Sequence, residues 1–112
     1  MTHEMKRINE VEQPLEIKAG GTYFLEEAAR FFRWDVKTMR RNADNFRVPC
    51  WRQDPSNKRS RRQFDGAVLR AVRFLLGDGN DGWDEVKRRL WEQVKIERRG
   101  LPRPQKIKKL YA

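Results

Sequence analysis

The hydrophobic pattern of the chain changes near residue 22. Residues 1–21 are polar, show no regular spacing of apolar side chains and end in two glycines, and they predict a mobile or loosely docked N-terminal arm. Beyond the arm, apolar residues recur at i, i+3, i+4 and i+7, as Leu25, Ala28, Ala29 and Phe32. This spacing puts the four side chains on one face of a helix, so the pattern predicts a short amphipathic α-helix.

A second short helix is predicted after a break of three residues. The break ends in Asp35, a residue type that caps helices by accepting hydrogen bonds from their first free amides. In the predicted helix 36–43, Val36, Met39 and Ala43 face inward. The outward positions carry Lys37, Thr38, Arg40 and Arg41. Two short helices joined by a tight turn, the second with a basic outer face, are typical of a helix-turn-helix.

The next stretch alternates between apolar and basic residues and predicts a β-hairpin over 46–64. Its strands are predicted at 46–52 and 59–64, and the loop between them contains the turn residues Pro55, Ser56 and Asn57.

Two longer helices are predicted in the C-terminal half. Asp65 is placed to cap a helix over 66–76, and a glycine-rich break at 77–82 separates it from a helix over 83–95. The apolar stripe of the last helix is Trp83, Val86, Leu90 and Val94. Trp91 falls off this stripe, and its exposure would indicate a surface for a partner such as a second protomer.

Together these elements predict a fold that is mainly α with a small β-hairpin wing, followed by a second helix pair. The predicted domain covers 22–98, between the arm at 1–21 and a basic tail at 99–112.

The order of the elements resembles the DNA-binding domain of MerR-type regulators and of the related phage excisionases. The motifs that carry the resemblance are residues 23–29, residues 35–40 and residues 61–65, followed by the helix pair. Arg41 and Asn42 stand where MerR regulators usually have two tyrosines, and neither a long dimerisation helix nor a sensor region is recognisable. The resemblance implies a winged helix-turn-helix that binds double-stranded DNA, closer to the short phage-type factors than to metal or drug sensors.

The charge distribution narrows the chemical class of the expected partner. The chain has a net charge of +10, and residues 30–62 alone hold 11 Lys and Arg against 3 Asp and Glu. Residues 101–112 add four basic residues and no acidic one. Clustered basic charge favours a polyanionic partner, although a basic surface kept only for solubility is the alternative.

The resemblance implies that the second helix enters the major groove and that the wing follows the backbone or the minor groove. The candidate DNA-binding residues are Lys37, Thr38, Arg40, Arg41, Arg52, Lys58, Arg59, Arg61 and Arg62. The alternative for each is a solvated surface charge, and for Arg62 it is an ion pair with an acid of the same domain. Trp34 and Trp51 either stack on bases or, as we expect, fill the core.

Catalytic, metal and membrane functions find no support in the residue inventory. One histidine and one cysteine cannot build a zinc site, and no phosphate-binding glycine loop is present. No apolar run is long enough for a membrane span, and no secretory signal is visible. We therefore expect a cytoplasmic, nucleoid-associated protein without enzymatic activity, cofactor or small-molecule ligand.

The predicted function is that of a small transcriptional regulator that binds duplex DNA sequence-specifically. The alternatives are an excisionase-like architectural factor that bends DNA during recombination and an RNA-binding or assembly protein. Because one short helix reads only a few base pairs, we expect a homodimer or cooperative protomers on DNA, with two-fold half-sites ~34 Å apart.

Overall fold

The computed structural model describes residues 16–77 and 81–101. In these residues the chain forms four helices and one antiparallel sheet of three strands, in the order β1-β3-β2. The elements are β1 (Thr22–Phe24), α1 (Leu25–Phe32), α2 (Val36–Asp44), β2 (Trp51–Arg52), β3 (Arg62–Asp65), α3 (Gly66–Leu76) and α4 (Trp83–Glu97). Most of the predicted arm and tail, at 1–15 and 102–112, lies outside the described residues.

The two short helices and the three-residue turn between them are confirmed. α1 ends where Arg33 takes a left-handed conformation, with φ 61°. The Asp35 carboxylate caps α2 by accepting a hydrogen bond of 2.7 Å from the backbone N–H of Thr38. Met39 is buried as predicted, but the inward orientation predicted for Val36 is wrong. Val36 is the first residue of α2 and is 37% exposed.

The hairpin is confirmed in its pairing but is shorter than predicted. β2 and β3 pair with Trp51 opposite Gln63, yet β2 has only two residues. The stretch 46–50 is not a strand because it completes the exit from α2. Phe46 has a φ of 62°, and the Val48 N–H donates to the Asn42 carbonyl at 3.1 Å. The predicted return strand likewise starts late, at Arg62, so that residues 53–61 form the loop.

A third strand, β1, was not predicted. It pairs antiparallel with β3, with Tyr23 opposite Phe64, and so makes β3 the central strand. A strand of three residues that runs directly into a helix is too short to show an alternating pattern. Its composition, Thr-Tyr-Phe, is nevertheless typical of β-structure.

The second helix pair is confirmed, and α4 extends two residues beyond its predicted end. α3 and α4 pack extensively against each other, and the sheet and the short helices join the same hydrophobic core. Phe31 and Phe32 are both buried and meet edge to face, with ring centroids 5.4 Å apart. The largest fully buried side chains are Ile17, Met39, Val48, Phe64, Val68, Leu69 and Val72.

Residues just before β1 pack onto the helix pair. Ile17 is only 1% exposed, and its carbonyl accepts a hydrogen bond of 2.8 Å from Arg70. The Lys18 carbonyl passes so close to Gly66 that a Cβ there would lie 1.9 Å from its oxygen. The last part of the predicted arm therefore belongs to the packed structure.

Asp65 stands at the N-cap position of α3, as predicted, but its side chain is buried. Burial raises the pKa of Asp65, and the Arg98 guanidinium, 3.4 Å away, partly opposes that shift. The carboxyl is therefore in an environment that disfavours its charge.

Candidate nucleic-acid interface

The outer face of α2 presents a row of basic side chains. Lys37, Arg40 and Arg41 are exposed and lie at i, i+3 and i+4, so they share one side of the helix. With Asp44 and Asn45 they line a shallow groove. None of the three cations forms an ion pair with a carboxylate in the described part of the chain, so their charges remain directed to solvent.

The fourth predicted residue of this helix, Thr38, has a local role. It is half-buried, and its hydroxyl and backbone N–H both bond to the Asp35 carboxylate, which lowers the pKa of Asp35. Thr38 thus holds the start of α2 in place.

Asp44 interrupts the basic face, and Arg62 compensates its charge. The Arg62 guanidinium contacts the Asp44 carboxylate and also donates to the Cys50 Sγ at 3.6 Å. The Arg62 side chain is only 16% exposed. Of the two roles considered for Arg62, the ion pair within the domain is the one observed. This pair joins the central strand to the C-terminal end of α2.

Cys50 lies beside the same guanidinium and is half-buried against the core. Burial raises the pKa of Cys50 despite the nearby Arg62 and Arg52. This environment favours the neutral thiol, and the side chain packs against the core.

The basic side chains of the β2–β3 hairpin, the segment that the sequence predicts as a wing and that keeps this name, fall into two groups. Near its base, Arg52 donates to the Ser60 carbonyl at 2.9 Å, and Arg61 pairs with Glu26 at 2.9 Å. Arg61 also lies over the Phe24 ring, yet about half of its side chain stays exposed. In the loop, Lys58 and Arg59 are exposed, and neither forms an ion pair with a described carboxylate.

The loop 53–61 is held together by its own hydrogen bonds. The Asp54 carboxylate accepts from the backbone N–H and the hydroxyl of Ser56. The Ser60 hydroxyl donates to the Asp54 carbonyl at 2.9 Å and accepts from the Asp54 N–H at 3.1 Å. The Asn57 side chain accepts from the N–H of Arg59. These bonds define the positions from which Lys58 and Arg59 project.

α2 and the base of the wing meet in a second groove, of about 180 Å³. Arg40 lies both in this groove and in the groove along α2. The residues that line the second groove are Leu25, Glu26, Arg40, Arg52, Ser60, Arg61 and Arg62. Of the predicted residues, the structure thus brings Arg40 of the helix together with Arg52, Arg61 and Arg62 of the wing base, whereas Lys58 and Arg59 line neither groove.

Of the two tryptophans near this surface, Trp34 packs against the core, as expected, whereas Trp51 is half-buried and is held by a hydrogen bond to the neighbouring strand. Trp34 stacks on Phe32 with ring centroids 4.4 Å apart. The Trp51 indole N–H donates to the Gln63 side chain at 2.8 Å.

Sequence reasoning missed the acidic partners of this surface. Asp44 follows Lys37 by seven residues, so a helical projection alone would have placed it on the basic face. The pairing of Glu26 with Arg61 joins residues 35 positions apart, and no local pattern indicates it.

Comparisons with protein-family models, with curated proteins and with solved structures give no match for this chain. Among the described residues, no cluster of three or more potential metal ligands occurs. No helix in the described part of the chain has the length and apolarity needed to cross a membrane.

Proposed function

We propose that the protein binds duplex DNA in a sequence-specific manner through a winged helix-turn-helix and acts as a small transcriptional regulator. The observation that supports this most directly is the unpaired basic face of α2, joined through Arg40 to the wing base. Exposed cations on a helix face that form no ion pair with the described carboxylates are suited to the phosphates and base edges of a duplex.

In this proposal α2 lies in the major groove. Arg40 reads a base, because an arginine can bind the O6 and N7 of guanine with two hydrogen bonds. Lys37 and Arg41 flank it and contact a base or a phosphate. Lys58 and Arg59 contact the backbone beside the wing, where they contribute affinity rather than sequence preference.

The first experiment selects a preferred duplex from a random pool and then measures competition at ~150 mM salt, where non-specific binding is weak. We expect the selected duplex to compete far better than random duplex or RNA of equal length. Equal competition by RNA would overturn the proposal in favour of an RNA-binding function.

Two matched variants then locate the interface. Lys37→Ala and Lys95→Ala each remove one exposed lysine, the first from the proposed interface and the second from the last turns of α4. We expect Lys37→Ala to weaken binding and Lys95→Ala to leave it within about twofold. Equal effects of the two variants would show that only net charge matters.

The arginines can be sorted by sequence preference and salt dependence. Arg40→Ala should cost about 1–3 kcal/mol and relax preference at one position, whereas a phosphate contact would weaken all sequences alike. The double variant Lys58→Ala/Arg59→Ala should reduce the slope of log K against log salt by about two. An unchanged slope would remove the loop from the interface.

A further inference from the structure

A second surface, next to the proposed interface but distinct from its basic face, has the character of a protein-binding site. It is an open groove of about 510 Å³ between the N-terminal half of α4 and the segment that leaves α2. Its lining residues are Asn45, Phe46, Arg47, Pro49, Trp83, Asp84, Val86, Lys87, Leu90 and Trp91. Aromatic side chains and arginine are the residue types enriched at protein interfaces.

Phe46 forms one wall of this groove and is 84% exposed. Its φ of 62° is a conformation that favours glycine or asparagine over a bulky side chain. The backbone is pinned there because the Phe46 N–H donates to the Ala43 carbonyl and the Arg47 N–H donates to the Asn45 side chain. Glycine or asparagine would therefore adopt this turn more readily than phenylalanine, and the exposed ring is not part of the hydrophobic core.

The opposite wall is built by α4. Trp83, Val86 and Leu90 follow one another along the helix, and Trp91 beside them is 43% exposed. From Trp83 to Trp91 the groove runs about 12 Å, the length of two helical turns. An amphipathic helix that offers apolar side chains at i, i+3 or i+4 and i+7 matches this length.

The charge at the rim decides between possible occupants. Arg47 lies over the Trp83 ring, 5.0 Å from its centroid, and Lys87 is exposed beside it. Asp84 is the one carboxylate among the lining residues. A second copy docked here by two-fold symmetry would bring its own Arg47 and Lys87 against this rim, whereas an acidic segment is attracted to it.

We propose that this groove binds an acidic amphipathic helix of another protein, with Phe46 and Trp91 as its apolar anchors. The partner would dock beside the C-terminal end of α2. The protein would thereby link that partner to the DNA it binds, although the groove itself does not depend on DNA binding.

The test uses a synthetic acidic helix as the probe. The peptide has about 16 residues, leucine or phenylalanine at i, i+3, i+4 and i+7, glutamate elsewhere and a net charge of about −6. Its control is a scrambled isomer of identical charge, because any acidic peptide can bind the basic face of α2 non-specifically. Affinity is measured by fluorescence anisotropy, and the site is mapped by amide chemical shifts of the full chain.

We expect the amphipathic peptide to bind at least about tenfold more tightly than its isomer, with shifts concentrated at residues 45–49 and 83–91. Phe46→Ala should weaken it about tenfold, while Phe74→Ala, which removes another exposed phenylalanine from α3, should change it less than about twofold. Phe46→Asn should lower affinity to the same extent while raising the Tm, since asparagine tolerates the left-handed conformation.

Three outcomes would overturn the proposal. Equal binding of the scrambled isomer, or shifts confined to α2 and the wing, would reduce the effect to non-specific charge. Concentration-dependent dimerisation of the free protein that Phe46→Ala abolishes would assign the groove to a second copy. Loss of DNA affinity in Phe46→Ala without any peptide binding would assign Phe46 to the DNA interface.

Discussion

Replacement of Arg62 tests the link between the wing and α2. The Arg62→Met variant keeps an unbranched apolar stem but removes the guanidinium that contacts Asp44 and Cys50. A hydrogen bond to a charged group is worth about 1.5–3 kcal/mol, and here it is weakened because Asp44 is 55% exposed. We therefore expect the free energy of unfolding to fall by about 1–2 kcal/mol.

The same substitution should weaken DNA binding indirectly. It leaves the Asp44 carboxylate uncompensated among the cations of the proposed interface. We place the Asp44 carboxylate about 8–10 Å from the nearest DNA phosphate. At an effective dielectric constant between those of water and of a protein surface, their repulsion reduces the binding free energy by about 1 kcal/mol, or roughly fivefold in affinity. The Asp44→Asn change in the Arg62→Met background should restore most of this affinity.

The measurement is a double-mutant cycle. Urea unfolding followed by tryptophan fluorescence gives stability, and anisotropy on the selected duplex gives affinity. A coupling energy for stability below about 0.3 kcal/mol would refute a stabilising pair. If Arg62→Met weakens DNA binding equally with Asp44 present or replaced, Arg62 contacts DNA directly and the indirect explanation is wrong.

Three further predictions concern stability. Asp35→Ala should lower the Tm because it removes the cap of α2. Asp35→Asn keeps a side-chain acceptor and should retain most of the stabilisation by the cap. Thermal unfolding followed by circular dichroism compares the two variants. Because the pKa of Asp65 is raised in the folded state, its contribution to stability is full below its unfolded pKa and is lost as pH rises through the folded value. Asp65→Asn should therefore show a smaller decline over that window in urea titrations at stepped pH, and an identical decline would contradict the assignment. Gly66→Ala should destabilise by about 1–3 kcal/mol in urea unfolding because its Cβ meets the Lys18 carbonyl, while Gly20→Ala, which meets only ordinary contacts, should be nearly neutral.

The helices were predictable because each has an apolar face with helical spacing. The stripe from Trp83 to Val94 and the face from Leu25 to Phe32 report burial directly, and Asp35 marks a helix start by its capping chemistry. In such segments the local pattern and the tertiary packing require apolar residues at the same positions, so the buried face can be predicted from the sequence.

The sheet was harder to predict because its strands have two to four residues. Phe46 and Val48 flank Arg47 in the alternation typical of a strand, yet the hydrogen bond from the Val48 N–H to the Asn42 carbonyl ties this stretch to the last turn of α2. The side-chain partners of the candidate site were equally hidden. The sequence around a basic residue at the base of a wing looks the same whether that residue contacts DNA or pairs with an acid, as Arg62 does with one 18 positions away.

The hydrogen bonds within the wing loop have a consequence for how a partner would be bound. Fixing the backbone of a free residue costs about 1–2 kcal/mol, so a disordered loop of this length would lose much of its binding energy to ordering. Here the hydrogen bonds of Asp54 and Ser60 order the loop when the protein folds. The conformational entropy is therefore lost before a partner binds, and the loop is preorganised. Asp54 thus serves a basic surface although its own charge repels a phosphate. Replacing Asp54 should therefore not raise affinity for a polyanion as a simple loss of negative charge would, because its carboxylate also holds the turn at Ser56 that leads into Lys58 and Arg59.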